Sequence, residues 1–340
     1  MSAAIFSTAL GAVLPIVLLI LLGYALQRIG FFSDEFLAVG NKLVFRVCLP
    51  VVMMFINVYR IESIADLRWD TIWYTVLAVL GIFCLGFVVA VAMTPQPERR
   101  GVLLQCSFRS NFAIIGMSLA TALGGEAGAA VAAVLSAVTV PLFNVLAVVS
   151  LSLFQKEKGG RVSIRKIALD VAKNPLIGGV LVGVAALLIR QWQTVQFGAV
   201  VFSLQRDLPS LYTAAQNLMN ITSPLALVIL GGKFRFAAVG GLWKEIVAGT
   251  LFRTVLAPVL GLGGAVLLSC WGLLQCGVSE YPALIAVFGS PVAVSSAVMA
   301  REMGGDEQLA TQLLVWTSIV STLTIFFTVC VMMSAGLLPS

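Results

Sequence analysis

Two short polar stretches interrupt segments that are otherwise apolar: SFRSNFAIIGMS at 107–118 and FGSPVAVSS at 288–296. The first brings Ser110, Asn111, Gly116 and Ser118 together, the second Gly289, Ser290, Pro291, Ser295 and Ser296. Short hydroxyl and amide side chains beside Gly and Pro suit recognition of a polar solute. Proline removes an intrahelical hydrogen bond and glycine lowers the cost of unwinding, so backbone N–H groups become free to bind. Arg109 stands two residues before Asn111 and would add a positive field for an anion. Bond-breaking chemistry has little to work with. The chain has no histidine, which excludes a Ser–His triad and zinc-protease helices. No metal site and no cofactor is expected. Glu126, Glu280, Glu302, Asp306 and Glu307 all fall near the ends of apolar segments, leaving no carboxylate pair for acid–base work.

The elements that must position these residues are membrane helices. The 340 residues are 60% hydrophobic and 11% charged, with a mean hydropathy of +1.04, against roughly 25% charged in soluble domains. Apolar runs of about 20 residues recur along the chain, each long enough for a ~30 Å hydrocarbon core. Ten spans can be drawn, at about 6–27, 36–57, 71–93, 101–124, 128–154, 174–190, 208–231, 243–269, 281–303 and 308–334. The first basic residue, Arg28, follows the first apolar run, which favours an uncleaved span over a signal peptide.

The chain repeats itself. Residues 104–149 align on 284–329 without a gap, placing Phe108 on Phe288, Ser110 on Ser290, Asn111 on Pro291, and Gly124–Gly125 on Gly304–Gly305. Pro15, Gly23 and Ala25 match Pro175, Gly183 and Ala185, and Pro50 roughly matches Pro224. With five spans per half, the halves 1–154 and 174–340 must be inverted relative to each other. The basic stretch 155–173 lies between them as a linker with a helical end. Internal repeats containing broken helices are the sequence mark of secondary transporters. Asn111 and Pro291 are the expected crossover points, while Pro50 and Pro224 are candidate breaks or kinks. Close packing by Gly and Ser is the competing explanation for both polar stretches.

The net charge of +6 does not indicate nucleic-acid binding. Six basic residues cluster in the linker, and of the others seven fall at the same alternate set of loops against four at the intervening ones, as an orientation signal would. The positive-inside rule places 155–173 in the cytoplasm and both termini outside, in a multi-pass inner-membrane protein. Of the six cysteines, only Cys270 and Cys276 could meet, and spacing does not decide whether they pair. Arg46, Arg109 and Arg253 fall well inside spans two, four and eight. An intramembrane charge costs at least ~2.5–3.5 kcal/mol, so all three are expected to face a cavity or protein. For Arg46 and Arg253, a carbonyl-capping or boundary arginine is as good a reading as a functional one.

Taken together, VLPIVLLILLGYALQRIGFFSDEF, NKLVFRVCLPVVMMF, SNFAIIGMSLATALGG, KNPLIGG and SPVAVSSAVMAREMGGDEQLA resemble the auxin efflux carrier family. That family includes the plant PIN-FORMED carriers and bacterial carriers assigned to malate or malonate. The likeness covers nearly the whole chain. It implies an all-α membrane protein of ten helices in two inverted five-helix repeats, with spans four and nine crossing at their breaks. It also implies a scaffold of spans one, two, six and seven, often dimeric, and a moving unit of the other six spans that works as an elevator. One departure is visible: the family's proline after the span-four glycine is absent from Gly116–Met117–Ser118, so a softer break is expected there.

The leading expectation is a secondary carrier for a small organic anion, auxin-like or a dicarboxylate. Its substrate site would comprise Arg109, Ser110, Asn111, Gly116, Ser290, Pro291 and Ser295, with Asn220 from span seven. A sodium- or proton-coupled symporter or antiporter of the same architecture, and a membrane sensor that binds without transporting, remain alternatives.

Overall fold

The computed structural model describes residues 2–52, 54, 69–154, 164–234 and 238–338. The first part of the basic linker, 155–163, with Lys156, Lys158 and Arg161, lies outside the described residues, as does the stretch carrying Arg60, Glu62, Asp66 and Arg68. The described chain is helical, with no strand among those residues. That is the physical consequence of apolar runs in a solvent that cannot hydrogen-bond the backbone.

In chain order the helices are α1 (Ser2–Arg28), α2 (Asp34–Leu43), α3 (Trp69–Met93), α4 (Pro97–Phe108), α5 (Met117–Leu153), α6 (Ile164–Lys173) and α7 (Pro175–Phe197). They continue with α8 (Leu204–Asp207), α9 (Pro209–Lys233), α10 (Ala238–Leu251), α11 (Ala257–Cys270), α12 (Glu280–Gly289), α13 (Val294–Glu302) and α14 (Glu307–Ser334). Their starts follow local chemistry. Ser33 accepts from the Phe36 N–H, Asn174 from Leu176 and Asp306 from Leu309, each taking up a donor the helix start leaves over. Pro97, Pro175 and Pro209 sit in the first helical turn, where a missing N–H is harmless. Helix α5 is divided at Gly125 (φ 59°, ψ −148°), a backbone conformation open mainly to glycine. Near the matching place in the other half, Gly304 has a positive φ (71°), one position out of step with the sequence alignment.

Among the described residues, six helical segments are long and apolar enough to cross a membrane: Trp69–Met93, Leu119–Leu153, Pro175–Phe197, Pro209–Lys233, Val239–Cys270 and Glu307–Ser334. The segments 97–116 and 280–302 are divided by their breaks into pieces too short to cross singly. The expected second span runs into residues that are not described.

Among the described residues, three π-helical turns, Val44–Cys48, Phe112–Gly116 and Phe252–Leu256, widen the helices. Pro50 and Pro258 each follow such a turn by two residues, and the wide turn absorbs the clash a proline makes with the preceding turn. Pro50 and Pro224 are therefore corrected as breaks, since the helix continues through both. Helix α1 packs along α9 so closely that a Cβ on Gly23 would meet the Val228 carbonyl, and one on Gly231 the Ile20 carbonyl. Gly179 of α7 lies equally tight against Pro50. Cys270 and Cys276 are both free thiols.

Candidate functional site

Between α4 and the Phe112–Gly116 turn, Arg109, Ser110 and Asn111 leave the helix. Between α12 and α13, Ser290 to Ala293 do the same. The two interruptions lie antiparallel against each other. The Asn111 N–H donates to the Pro291 carbonyl at 2.7 Å, the Ala293 N–H to the Arg109 carbonyl at 3.3 Å, and Ser110 pairs with Val292 as an isolated bridge. Each break thus satisfies backbone groups freed by the other, which makes non-helical chain tolerable at this depth. Unwinding in the first break precedes Gly116, so the missing proline does not soften it. Gly116 serves the crossing instead. A Cβ there would lie 2.6 Å from the Phe112 ring, 2.9 Å from the Ala286 carbonyl and 3.2 Å from Ser290 Oγ.

On one side of the crossover is a cavity of about 60 Å³. Arg109, Ser110, Asn111 and Ala113 line it from the first break, and Ala293, Val294, Ser295 and Val298 from the second. Val140, Phe143 and Asn144 of α5, Leu49 and Val52 after α2, and Thr222, Ser223 and Ala226 of α9 complete the wall. The first residues of both resuming helices therefore border it, and helix N-termini carry about half a positive charge each.

Arg109 is 2% exposed. Its Nη2 donates to Asn144 Oδ1 at 2.7 Å and Ser295 Oγ at 2.9 Å, and its Nη1 contacts Met299 Sδ. The amide orientation of Gln105 that satisfies both its neighbours has its oxygen accepting from Nη1 at 2.9 Å and its nitrogen donating to the Ser296 carbonyl at 3.2 Å. All these partners are neutral. No carboxylate pairs with Arg109 among the described residues. Ser110 Oγ is buried beside it with no hydrogen-bond partner, and the Asn111 side chain makes none among the described residues.

On the other side lie the two helix ends that run into the breaks. Arg253, 1% exposed, projects from the Phe252–Leu256 turn into that space. Its Nε donates to the Ser290 carbonyl at 3.0 Å, Nη1 to those of Phe108 at 3.1 Å and Ser107 at 3.4 Å, and Nη2 to those of Phe288 at 2.7 Å and Val287 at 3.0 Å. Carbonyl capping, one of the readings open from sequence, is what it does.

Of the residues expected at the site, Arg109, Ser110, Asn111 and Ser295 line the cavity. Gly116, Ser290 and Pro291 instead form the buried crossing behind it, where Ser290 Oγ donates to the Ala286 carbonyl at 2.6 Å. Asn220 is a correction: it is exposed, because Thr222, Ser223 and Ala226 carry the inward face of α9. Arg46 is another. It is exposed beside Leu43 and Val47, one turn from exposed Lys42, a pair placed to reach a boundary by snorkelling. Sequence reasoning missed Asn144 and Gln105. A lone amide deep in the fifth apolar run was the available signal.

No curated protein matches the chain. The sequence does match the family of membrane transport proteins, over residues 8–329. That match spans both broken segments and nearly every helix described above, and the chain therefore belongs to the membrane transport protein family, that of the auxin efflux carriers.

Proposed function

We propose that this transporter carries a small organic anion, a carboxylate, and binds it in the cavity beside the crossover. The observation that carries this reading is Arg109: a fully buried guanidinium, hydrogen-bonded only to neutral groups, bordering a cavity at which two helix N-termini converge. A buried unpaired charge costs several kcal/mol, and an anion in the cavity relieves that cost. Ser110 Oγ and the Asn111 amide are the free polar groups beside it, ready to meet carboxylate oxygens. Asn144 and Ser295 are engaged by Arg109, Thr222 and Ser223 bring two hydroxyls from α9, and the rest of the wall is apolar. A monocarboxylate with a compact apolar body suits one uncompensated positive charge better than a dicarboxylate does.

In this reading the chain is ten spans in two inverted repeats, 1–154 and 174–340, joined by 155–173. The reciprocal pairing of the breaks at aligned residues supports it. So does the reciprocal packing of α1 on α9 and of α7 on the helix after α2. Spans one, two, six and seven are the scaffold and the other six the unit that moves past it, carrying the crossover as an elevator. The cavity lies at their boundary, which is where such a carrier exposes its substrate. The linker faces the cytoplasm, and the exposed outer face of α7, with Leu181, Leu188 and Trp192, is the surface through which two copies pair.

The test is ligand-dependent stability together with flux. A ligand at about a hundred times its Kd stabilises the folded state by about 2.7 kcal/mol. Millimolar monocarboxylates are expected to raise the melting temperature of the purified protein by several degrees, and dicarboxylates less. Arg109→Gln should abolish that shift and lower saturable uptake at least tenfold while the protein remains folded. Wild-type uptake by this variant would place the substrate elsewhere.

A further inference from the structure

The helix ends opposite the cavity constitute a second electrostatic site. A helix leaves its last four carbonyls without internal partners, and they carry about half a negative charge. Here two such ends, of α4 and α12, point into one dry space, so about one full negative charge converges there. In transporters built from discontinuous helices, such ends and the unwound carbonyls beside them commonly hold sodium or a proton. In this chain the space holds the Arg253 guanidinium, whose planar fork donates to five carbonyls from both helices within 2.7–3.4 Å. Asp and Glu are absent from its partners.

We infer that Arg253 is a fixed counter-cation for the crossover: it takes the place of an exchangeable ion, and its removal leaves a vacant cation site. Two features support a dedicated role. The π-helical turn at Phe252–Leu256 widens the helix at the residue that must project. The guanidinium, with five N–H donors in one plane, satisfies a larger set of divergent carbonyls than an ammonium with three donors. Arg253 is thereby a positioning residue. It holds the two breaks in register, so that the helix N-termini and Arg109 meet the anion on the other side. This role rests on the carrier reading only where flux is concerned, since the crossover would need the same charge in a protein that binds without transporting.

The experiment compares the wild type with Arg253→Lys, Arg253→Met and Arg253→Ala, as purified protein and in proteoliposomes. Wild-type melting should be indifferent to millimolar methylguanidinium. Arg253→Ala should melt at least 5 °C lower and regain at least half of that loss with methylguanidinium, but not with tetramethylammonium, which cannot donate hydrogen bonds. Arg253→Lys should lie between the two. Anion flux through Arg253→Ala should fall at least tenfold and recover at least threefold with the added cation. If the alanine variant cannot be recovered folded, the comparison passes to the other two: Lys recovered and Met recovered only with methylguanidinium present supports the inference. Lys and Met behaving alike overturns it, as does methylguanidinium shifting variants and wild type equally. Absence of any carboxylate flux in the wild type would sink the carrier reading alone, because the melting comparison still decides the role of Arg253.

Discussion

Arg109 and Arg253 sit on opposite sides of one crossover and face opposite kinds of helix end: Arg253 the C-termini of α4 and α12, Arg109 the N-termini of the helices that resume after the breaks. Arg253 faces carbonyls and is saturated by them; Arg109 stands with the helix N-termini and adds to their positive field. The difference decides which of them has capacity left for a ligand. Ser110 carries the cleanest prediction at this scale, because its hydroxyl is buried, unpartnered and at the cavity wall. Ser110→Ala should raise the KM for the transported anion about five- to tenfold, equivalent to about 1–1.4 kcal/mol for one lost hydrogen bond. Asn220→Ala, on the exposed face of α9, should leave KM within twofold. Equal effects of the two would contradict the placement of the cavity.

At the scale of elements, the crossing depends on how closely two broken helices approach. Gly116 is a point of close approach, with the Ala286 carbonyl 2.9 Å from where a Cβ would lie. Neither that backbone nor the buried Phe112 ring can retreat into empty space. Gly116→Val should therefore lower the melting temperature, since overpacking a filled core costs about 1–3 kcal/mol. It should also reduce flux by displacing the helix start that lines the cavity. Gly81 is the internal control. It lies in α3 with nothing within 4 Å of an added Cβ, so Gly81→Ala should be neutral or stabilising by about 0.5–1 kcal/mol. Thermal unfolding of the two variants in the same detergent tests both.

At the scale of the whole molecule, the proposed scaffold and moving unit are fastened at one end by a small set of polar contacts. Lys233 of α9 pairs with Glu307 of α14 at 3.1 Å, and the Gln308 side chain donates to the Lys233 carbonyl. The Asn41 amide of α2 donates to Glu302 at 2.9 Å. Glu307 also holds Arg301 of its own unit at 3.2 Å, so it keeps a cationic partner when Lys233 departs. That arrangement lowers the cost of separation. A partly exposed ion pair contributes about 0.2–1 kcal/mol. Lys233→Met should therefore speed reorientation by up to about fivefold, seen as faster alkylation of a cysteine introduced at Ser223. Unchanged or slower labelling would mean these contacts do not hold the two parts together.

Much of this could be read from the sequence because membrane helices are local objects. Apolar length, proline and glycine placement, and an ungapped repeat located the broken segments and put Arg109, Ser110 and Asn111 beside one of them. The family match, over residues 8–329, spans those same stretches. What required the fold was every relation between helices. Periodicity along α9 did not say which of its faces turned inward, so Asn220 was taken where Thr222 and Ser223 stand. Asn144 is twenty-six residues or more from both polar stretches in sequence, and only packing of α5 against the crossover brings its amide to Arg109. Arg46 and Arg253 are alike in sequence terms, each an arginine inside an apolar run. One lies at the surface, while the other meets carbonyls contributed by two helices distant in the chain. Composition and spacing determine which segments enter the membrane and where they break; tertiary structure decides which charges are compensated, because compensation depends on neighbours that the chain brings together only on folding.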